Sequence, residues 1–95
     1  MTRADLINRL AHKYQQLQLQ DAELSVKTIL DALGATLASG GRVEIRGFGS
    51  FALNYRPSRN SRNPKTGASV QVPAKYVPHF KAGKDLKVRV NSAFE

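Results

Sequence analysis

The chain has 95 residues, enough for one domain and no more. It contains no cysteine, which excludes disulfides and thiolate metal sites and fits a reducing compartment. Its net charge is +8, from 15 Lys/Arg against 7 Asp/Glu, and no apolar run approaches the roughly 20 residues of a membrane span.

The opening stretch MTRADLINRLAHKY has no uninterrupted apolar core, so it does not read as a signal peptide. Thr2 and Asp5 have the spacing of a capping box with the shorter acid. Leu6, Ile7, Leu10, Ala11 and Tyr14 then recur at three- and four-residue steps, one face of a helix. His12 is a lone histidine on that helix and reads as a surface or packing residue. A second helix is expected from the Gln18–Asp21 region to Ala38, where Gly40-Gly41 stops it. Its apolar set, Leu24, Val26, Ile29, Leu30, Leu33 and Leu37, is wider than one stripe and suits a helix gripped by its own chain and by a partner.

Arg42 to Arg46 alternates strictly, which predicts a strand with Val43 and Ile45 toward the core and Arg42, Glu44 and Arg46 on the other face. Gly47-Phe48-Gly49 is a tight connection into a second strand, Ser50 to Arg56, with Phe51, Leu53 and Tyr55 on one side. Past the next segment, Tyr76 to Lys81 is a returning strand, and Pro78 within it implies an edge or a bulge. Ala82-Gly83 precedes a short final helix bearing Lys84, Lys87 and Arg89, which with Lys81 are placed to clamp phosphates.

Between these strands lies Arg56 to Lys75, RPSRNSRNPKTGASVQVPAK, with five cations and no acid. Its only large aliphatics are Val70 and Val72, too few to offset the entropy of ordering it in a core. Asn63-Pro64-Lys65-Thr66-Gly67 is a reversal signal: Asn opens the turn, Pro presets the next dihedral, and Gly takes the left-handed position. The rest mirrors about it, with Arg56 opposite Lys75 and Pro57 opposite Pro73 within one residue. This predicts a bare two-stranded arm, weakly paired midway, with a proline at its tip. The symmetric turn chemistry argues against a disordered basic loop.

The charge is lopsided in the same sense. Residues 1–55 carry a net +1, whereas residues 56–95 carry nine Lys/Arg against Asp85 and Glu95, a net +7. A one-sided basic half points to a polyanion. A basic ribbon follows a nucleic-acid backbone, and a rigid apolar tip can wedge between base pairs. A membrane surface fits poorly, because the cations sit on a proline-bearing ribbon and not on an amphipathic helix. Catalysis fits poorly too. His12 and His79 lie far apart in sequence, the acids form no metal-binding pattern, and there is no Gly-rich phosphate loop, so no cofactor and no metal are expected. Without the arm the body is about 75 residues, a marginal core for one chain, and dimerisation is the economical way to bury its apolar side chains.

The fold expected is α+β: an N-terminal helical hairpin, a three-stranded antiparallel sheet with a long protruding β-ribbon arm, and a short C-terminal helix, in an intertwined dimer. Its parts are a helical dimerisation part (1–40), the sheet (41–55 and 76–82), the arm (56–75) and the C-terminal helix (83–95).

Three motifs, Arg46-Gly47-Phe48-Gly49-Ser50-Phe51, Arg62-Asn63-Pro64-Lys65-Thr66-Gly67 and Tyr76-Val77-Pro78-His79-Phe80-Lys81, resemble the bacterial histone-like DNA-bending family of HU and integration host factor. The resemblance covers essentially the whole chain. Within the family, Val43-Glu44-Ile45-Arg46 with Tyr76 to Phe80 is most similar to the beta-subunit branch of integration host factor. It implies a duplex-DNA binder of the bacterial cytoplasm and nucleoid, paired with an alpha subunit or with itself, that bends DNA for recombination, transcription and replication complexes. Pro64 carries over as the intercalating residue and Arg46, beside Glu44, as the site of sequence preference. Arg56, Arg59, Arg62, Asn63, Lys65 and Lys75 carry over to the minor groove and phosphates. Lys81, Lys84, Lys87, Arg42, Lys27 and Arg3 are the further DNA-binding candidates, and Leu30, Leu33, Leu37, Phe48 and Phe51 the candidate dimer core. Ser61 stands where a glycine is common in the family, and Ala82 where a proline is common. HU-like non-specific compaction by a homodimer is the alternative, followed by binding of structured RNA.

Overall fold

In the computed structural model, which describes residues 1–94, the chain runs α1 (Arg3–Lys13), α2 (Leu19–Ala38), β1 (Val43–Ile45), β2 (Gly49–Arg56), β3 (Arg59–Arg62), β4 (Ser69–Val72), β5 (Lys75–Ala82) and α3 (Lys84–Ala93). The C-terminal helix expected to reach residue 95 is seen to Ala93, and Glu95 lies outside the described residues.

The capping box at the start of α1 is complete. Thr2 Oγ1 accepts the Asp5 amide at 3.2 Å, and Asp5 Oδ2 accepts the Thr2 amide at 2.9 Å. α2 ends in a Schellman motif: Gly41 N–H reaches Thr36 O at 2.9 Å and Gly40 N–H reaches Leu37 O at 3.0 Å. Gly40 makes this possible by adopting φ +85°. The helix therefore turns abruptly into the sheet without a long linker.

β1, β2 and β5 form an antiparallel sheet in that order, and β3 pairs with β4 in a second, two-stranded ribbon. One register runs through both. Gly49 faces Ala82, Phe51 faces Phe80, Arg56 faces Lys75, Arg59 faces Val72 and Arg62 faces Ser69, with the same offset throughout and no bulge. Pro78 lies opposite Leu53 on β5, an edge strand, where its missing amide costs no ladder bond. The ribbon projects far from the body: the radius of gyration is 19.0 Å and the longest axis 58 Å. A compact chain of this length has a radius of gyration of about 12 Å.

Two expectations for the first strand fail. β1 is confined to Val43–Ile45, so Arg42 precedes it and Arg46 lies in the turn that follows. That turn is closed by the Phe48 amide on Ile45 O at 3.0 Å, with Gly47 at φ +83°. Ile45, expected in the core, is 39% exposed.

The turn is held against the start of α3. Gly83 N–H donates to Phe48 O at 2.8 Å, tying the helix to the hairpin just after Ala82. A Cβ on Gly49 would stand 2.5 Å from Lys81 O and 2.6 Å from Phe80 Cζ. Gly49→Ala therefore forces strand β5 and the Phe80 ring apart. We expect a destabilisation of about 2 kcal/mol, a fall of several degrees in the thermal midpoint by circular dichroism. An unchanged midpoint would show that β5 yields freely.

The core of the single chain is slight. Among the described residues only Ala22 and Val26 are buried hydrophobics. The rings of Phe48 and Phe51 lie 5.3 and 4.8 Å from that of Phe80, forming an aromatic cluster on one face of the sheet. Phe48 within it remains 44% exposed.

Candidate nucleic-acid interface

Alternation along β2 and β5 separates two chemistries. One face presents Phe51, Leu53 and Tyr55 against Phe80, Pro78 and Tyr76. The other presents Ser50, Ala52, Asn54 and Arg56 against Lys81, His79, Val77 and Lys75. Glu44 on β1 pairs with Ser50 and so belongs to the polar face.

That polar face and α3 enclose an open groove of about 950 Å³. Arg42, Arg46, Lys81, Lys84 and Lys87 line it, with Glu44 as its one acid. Lys84, Lys87, Val88 and Asn91 reach the groove together because their helical spacing places them on one side of α3. Arg89 is off that side, so it does not join the clamp for which its charge recommended it.

Glu44 is bound to Arg42, one of the arginines neighbouring Arg46. Arg42 Nε donates to Glu44 Oε1 at 2.8 Å, and Arg42 Nη2 donates to Ser50 Oγ at 3.3 Å. The physical reason lies in the backbone: Arg42 stays in line with β1, whereas Arg46 has already left the strand for the turn. Both partners are well exposed, at 57% and 70% of their side chains. Such a pair contributes at most about 1 kcal/mol, and among the described residues Arg46 makes no side-chain hydrogen bond.

At the far end of the ribbon the tip is ordered by its own side chains. The Lys65 amide donates to Asn63 Oδ1 at 2.9 Å, and the Ala68 amide to Thr66 Oγ1 at 3.2 Å. Asn63 N–H reaches Ala68 O at 2.9 Å and Gly67 N–H reaches Asn63 O at 2.7 Å, with Gly67 at φ +70°. Pro64 is thereby set exposed at the apex, next to exposed Lys65. Arg59 and Arg62 stand on β3, and Arg56 and Lys75 face each other at the arm's base.

The remaining candidates fall elsewhere. Arg3 and Lys27 are exposed on α1 and α2, outside both the groove and the arm. Leu30 is 40% exposed, while Leu33, Leu37 and Phe51 are half-buried. Leu37 lines a second, mostly apolar hollow of about 910 Å³ with Gly34, Ala38, Leu53, Tyr76 and Pro78. Sequence reasoning missed Ser50, His79 and Asn91 as members of the polar surface. The signals were available: strand alternation puts Ser50 beside Glu44 and His79 beside Lys81, and the spacing from Lys84 and Lys87 reaches Asn91.

Comparison with known proteins agrees with this geometry. A family model described as bacterial DNA-binding protein matches residues 1–91. Integration host factor subunit beta of Laribacter hongkongensis is 63% identical over 93 residues, covering 98% of this chain and 94% of the relative. Its Chromobacterium violaceum counterpart is 64% identical over 95 residues, covering 96% and 91%. Among solved structures, the chain of an Anabaena HU–DNA cocrystal structure superposes with a TM-score of 0.85 at 32% identity, covering 95% of this chain and 97% of that one. An HU mutant from Thermotoga maritima gives 0.68 at 32% identity, covering 95% and 99%.

Proposed function

This chain belongs to the bacterial DNA-binding protein family, and on that footing we propose that it is an architectural protein that bends duplex DNA. The observation that carries the reading is the unbroken ribbon, bearing Arg56, Arg59, Arg62, Lys65 and Lys75, no acid, and Pro64 at an ordered apex. The names of its relatives favour pairing with an alpha-type subunit, each chain giving one arm. The role is non-catalytic and suits the nucleoid. No helix among the described residues is long and apolar enough to cross a membrane.

In this mechanism the arms enter the minor groove and Pro64 opens a base step, at a cost of about a few kcal/mol. Bending a short site adds roughly 1–6 kcal/mol. These costs are offset where bent DNA lies along the groove of Arg42, Arg46, Lys81, Lys84 and Lys87. Each neutralised phosphate releases counterions, so affinity falls with salt by about 0.9 log units per contact per log unit of salt.

The minor groove offers a degenerate code, so site preference rests largely on deformability, with Arg46 adding to it. Arg46→Ala is expected to lower the ratio of affinities for a preferred site over random duplex by roughly tenfold, about 1.4 kcal/mol, with a smaller change on random DNA. A competition titration measures both, and an unchanged ratio removes Arg46 from readout.

The central test is energy transfer between the ends of a short A-tract duplex, with this chain, an alpha-type partner and excess random DNA. Ends that draw together and stay together support a site-preferring bender. Ends that part when competitor is added favour HU-like compaction. Preference for structured RNA over duplex at one salt concentration would overturn both.

A further inference from the structure

The distal ribbon has two unlike faces. Asn60 pairs with Gln71 and Arg62 with Ser69, while Arg59 pairs with Val72 and Ser61 with Val70. Paired residues stand on the same side of an antiparallel ribbon, and neighbours along a strand stand on opposite sides. One face is therefore Asn60, Arg62, Ser69 and Gln71, every member exposed and every member a hydrogen-bonding group. The other carries Val70 and Val72 with Arg59 and Ser61, and of these Ser61 and Val72 are half-buried.

Hydrogen-bonding capacity decides which face suits the floor of a minor groove. That floor presents the acceptors A N3 and T O2, and the 2-amino group of guanine as a donor. Setting Val70 and Val72 against those edges would leave them without partners, which costs free energy. The Asn60–Gln71 face meets them with polar groups.

Acceptors for the guanine amino group are scarce on the arm. Lys and Arg only donate, and no acid lies between Arg56 and Lys75. The arm has three carboxamides, Asn60, Asn63 and Gln71. Asn63 Oδ1 already accepts the Lys65 amide at 2.9 Å. The side-chain hydrogen bonds of the arm, among the described residues, belong to Asn63 and Thr66 at the tip, so Asn60 and Gln71 are uncommitted. The register sets these two directly opposite each other, with Cβ atoms about 5 Å apart. Two carboxamide heads thus stand side by side, each with an acceptor and a donor to offer. Ser69 also accepts, but its side chain is the shortest on that face.

We propose that Asn60 and Gln71 form a carboxamide pair that reads the guanine 2-amino group on the minor-groove floor, so that this arm accepts a G·C pair at one step where a donor-only ribbon rejects it. This rests on the duplex-binding reading above and adds to it a second point of discrimination, in the arm, that does not act through deformability.

The test uses the full chain with its alpha-type partner and a series of short A·T-rich duplexes. One G·C pair is moved stepwise through the arm's footprint, and each duplex is matched by one with inosine for guanine, which lacks only the 2-amino group. Competition titration gives the guanine-to-inosine affinity ratio at each step. Asn60→Ala with Gln71→Ala is expected to lower that ratio about fivefold at one step and to leave it unchanged elsewhere, the effect of one neutral hydrogen bond. The stiffness of each duplex is the same for both proteins and cancels in the comparison. Gln71→Lys supplies donors only and should lower the ratio at the same step. Ser61→Ala, on the opposite face, should leave it intact. Equal ratios in the parent and the double variant at every step, with the duplex still bound and bent by energy transfer, overturn the carboxamide pair and leave the bending reading standing. A ratio lost with Ser61→Ala instead puts the other face on the groove floor and overturns the pair as well. Failure of the parent to bind the duplexes at all overturns the bending reading itself.

Discussion

Replacing Pro64 with alanine is expected to remove most of the bend while leaving most of the affinity for random duplex. The cations along the ribbon and in the groove are untouched by the change, and they supply the sequence-independent attraction. Affinity for random DNA should shift by less than about threefold, under ~0.7 kcal/mol. The bend is a different matter. A wedge has to be apolar, compact and held still, and the apex supplies all three through the proline ring and the Asn63 and Thr66 side-chain bonds. Alanine retains the turn and loses the ring. Energy transfer across a short duplex reads the bend, and competition with labelled random duplex reads the affinity. Proportional loss of both would contradict the wedge, because it would make Pro64 one contact among many.

The thermal midpoint is expected to rise with protein concentration, by several degrees over a tenfold range. Among the described residues of the single chain the buried hydrophobics are only Ala22 and Val26, while Leu24, Ile29, Leu30 and Phe48 are 62%, 59%, 40% and 44% exposed. So slight a core cannot offset the ordering of 95 residues. The missing burial has an evident place, the apolar side of the sheet and the hollow lined by Leu37, Leu53, Tyr76 and Pro78. When folding needs association, stability and concentration are inseparable. Leu33→Asp would bury an unpaired carboxylate in that association at a cost of several kcal/mol, a large part of the ~5–15 kcal/mol that holds a typical domain together. It should leave the chain unfolded at concentrations where the parent is folded. Circular dichroism melts at two concentrations, with sedimentation of each, decide the matter. A concentration-independent midpoint for a sedimenting monomer would refute the association.

The arm was legible in the sequence because its signals are local and agree with one another. The Asn-Pro-Lys-Thr-Gly turn fixes the centre, absence of a bulge preserves the mirror, and so Arg56 does face Lys75. The interruption by Pro57 and Pro73 was legible for the same reason: a missing amide is a property of the residue itself. The end of β1 was not. Alternation from Arg42 to Arg46 is the same whether the chain continues extended or turns at Ile45, and the outcome depends on the Phe48 amide closing back on Ile45 O. That single backbone bond also decides which arginine Glu44 meets, since Arg42 and Arg46 are equally spaced from it in sequence. Likewise the wide apolar set of α2 announced a buried helix but not what would bury it. Leu24 and Leu30 lie open in the single chain, and periodicity along one helix carries no information on what would cover them.

The constant offset from Gly49–Ala82 to Arg62–Ser69 makes the arm a ruler with discrete graduations. Adding one residue to a single strand would turn every later side chain to the opposite face. Length can therefore change, with the cations keeping their side, only by two residues in each strand at once. Each such increment extends the reach of Pro64 by about 6.6 Å. Relatives of different arm length should therefore place their kinks apart in discrete steps set by that reach along the groove, and not by a continuous range of distances.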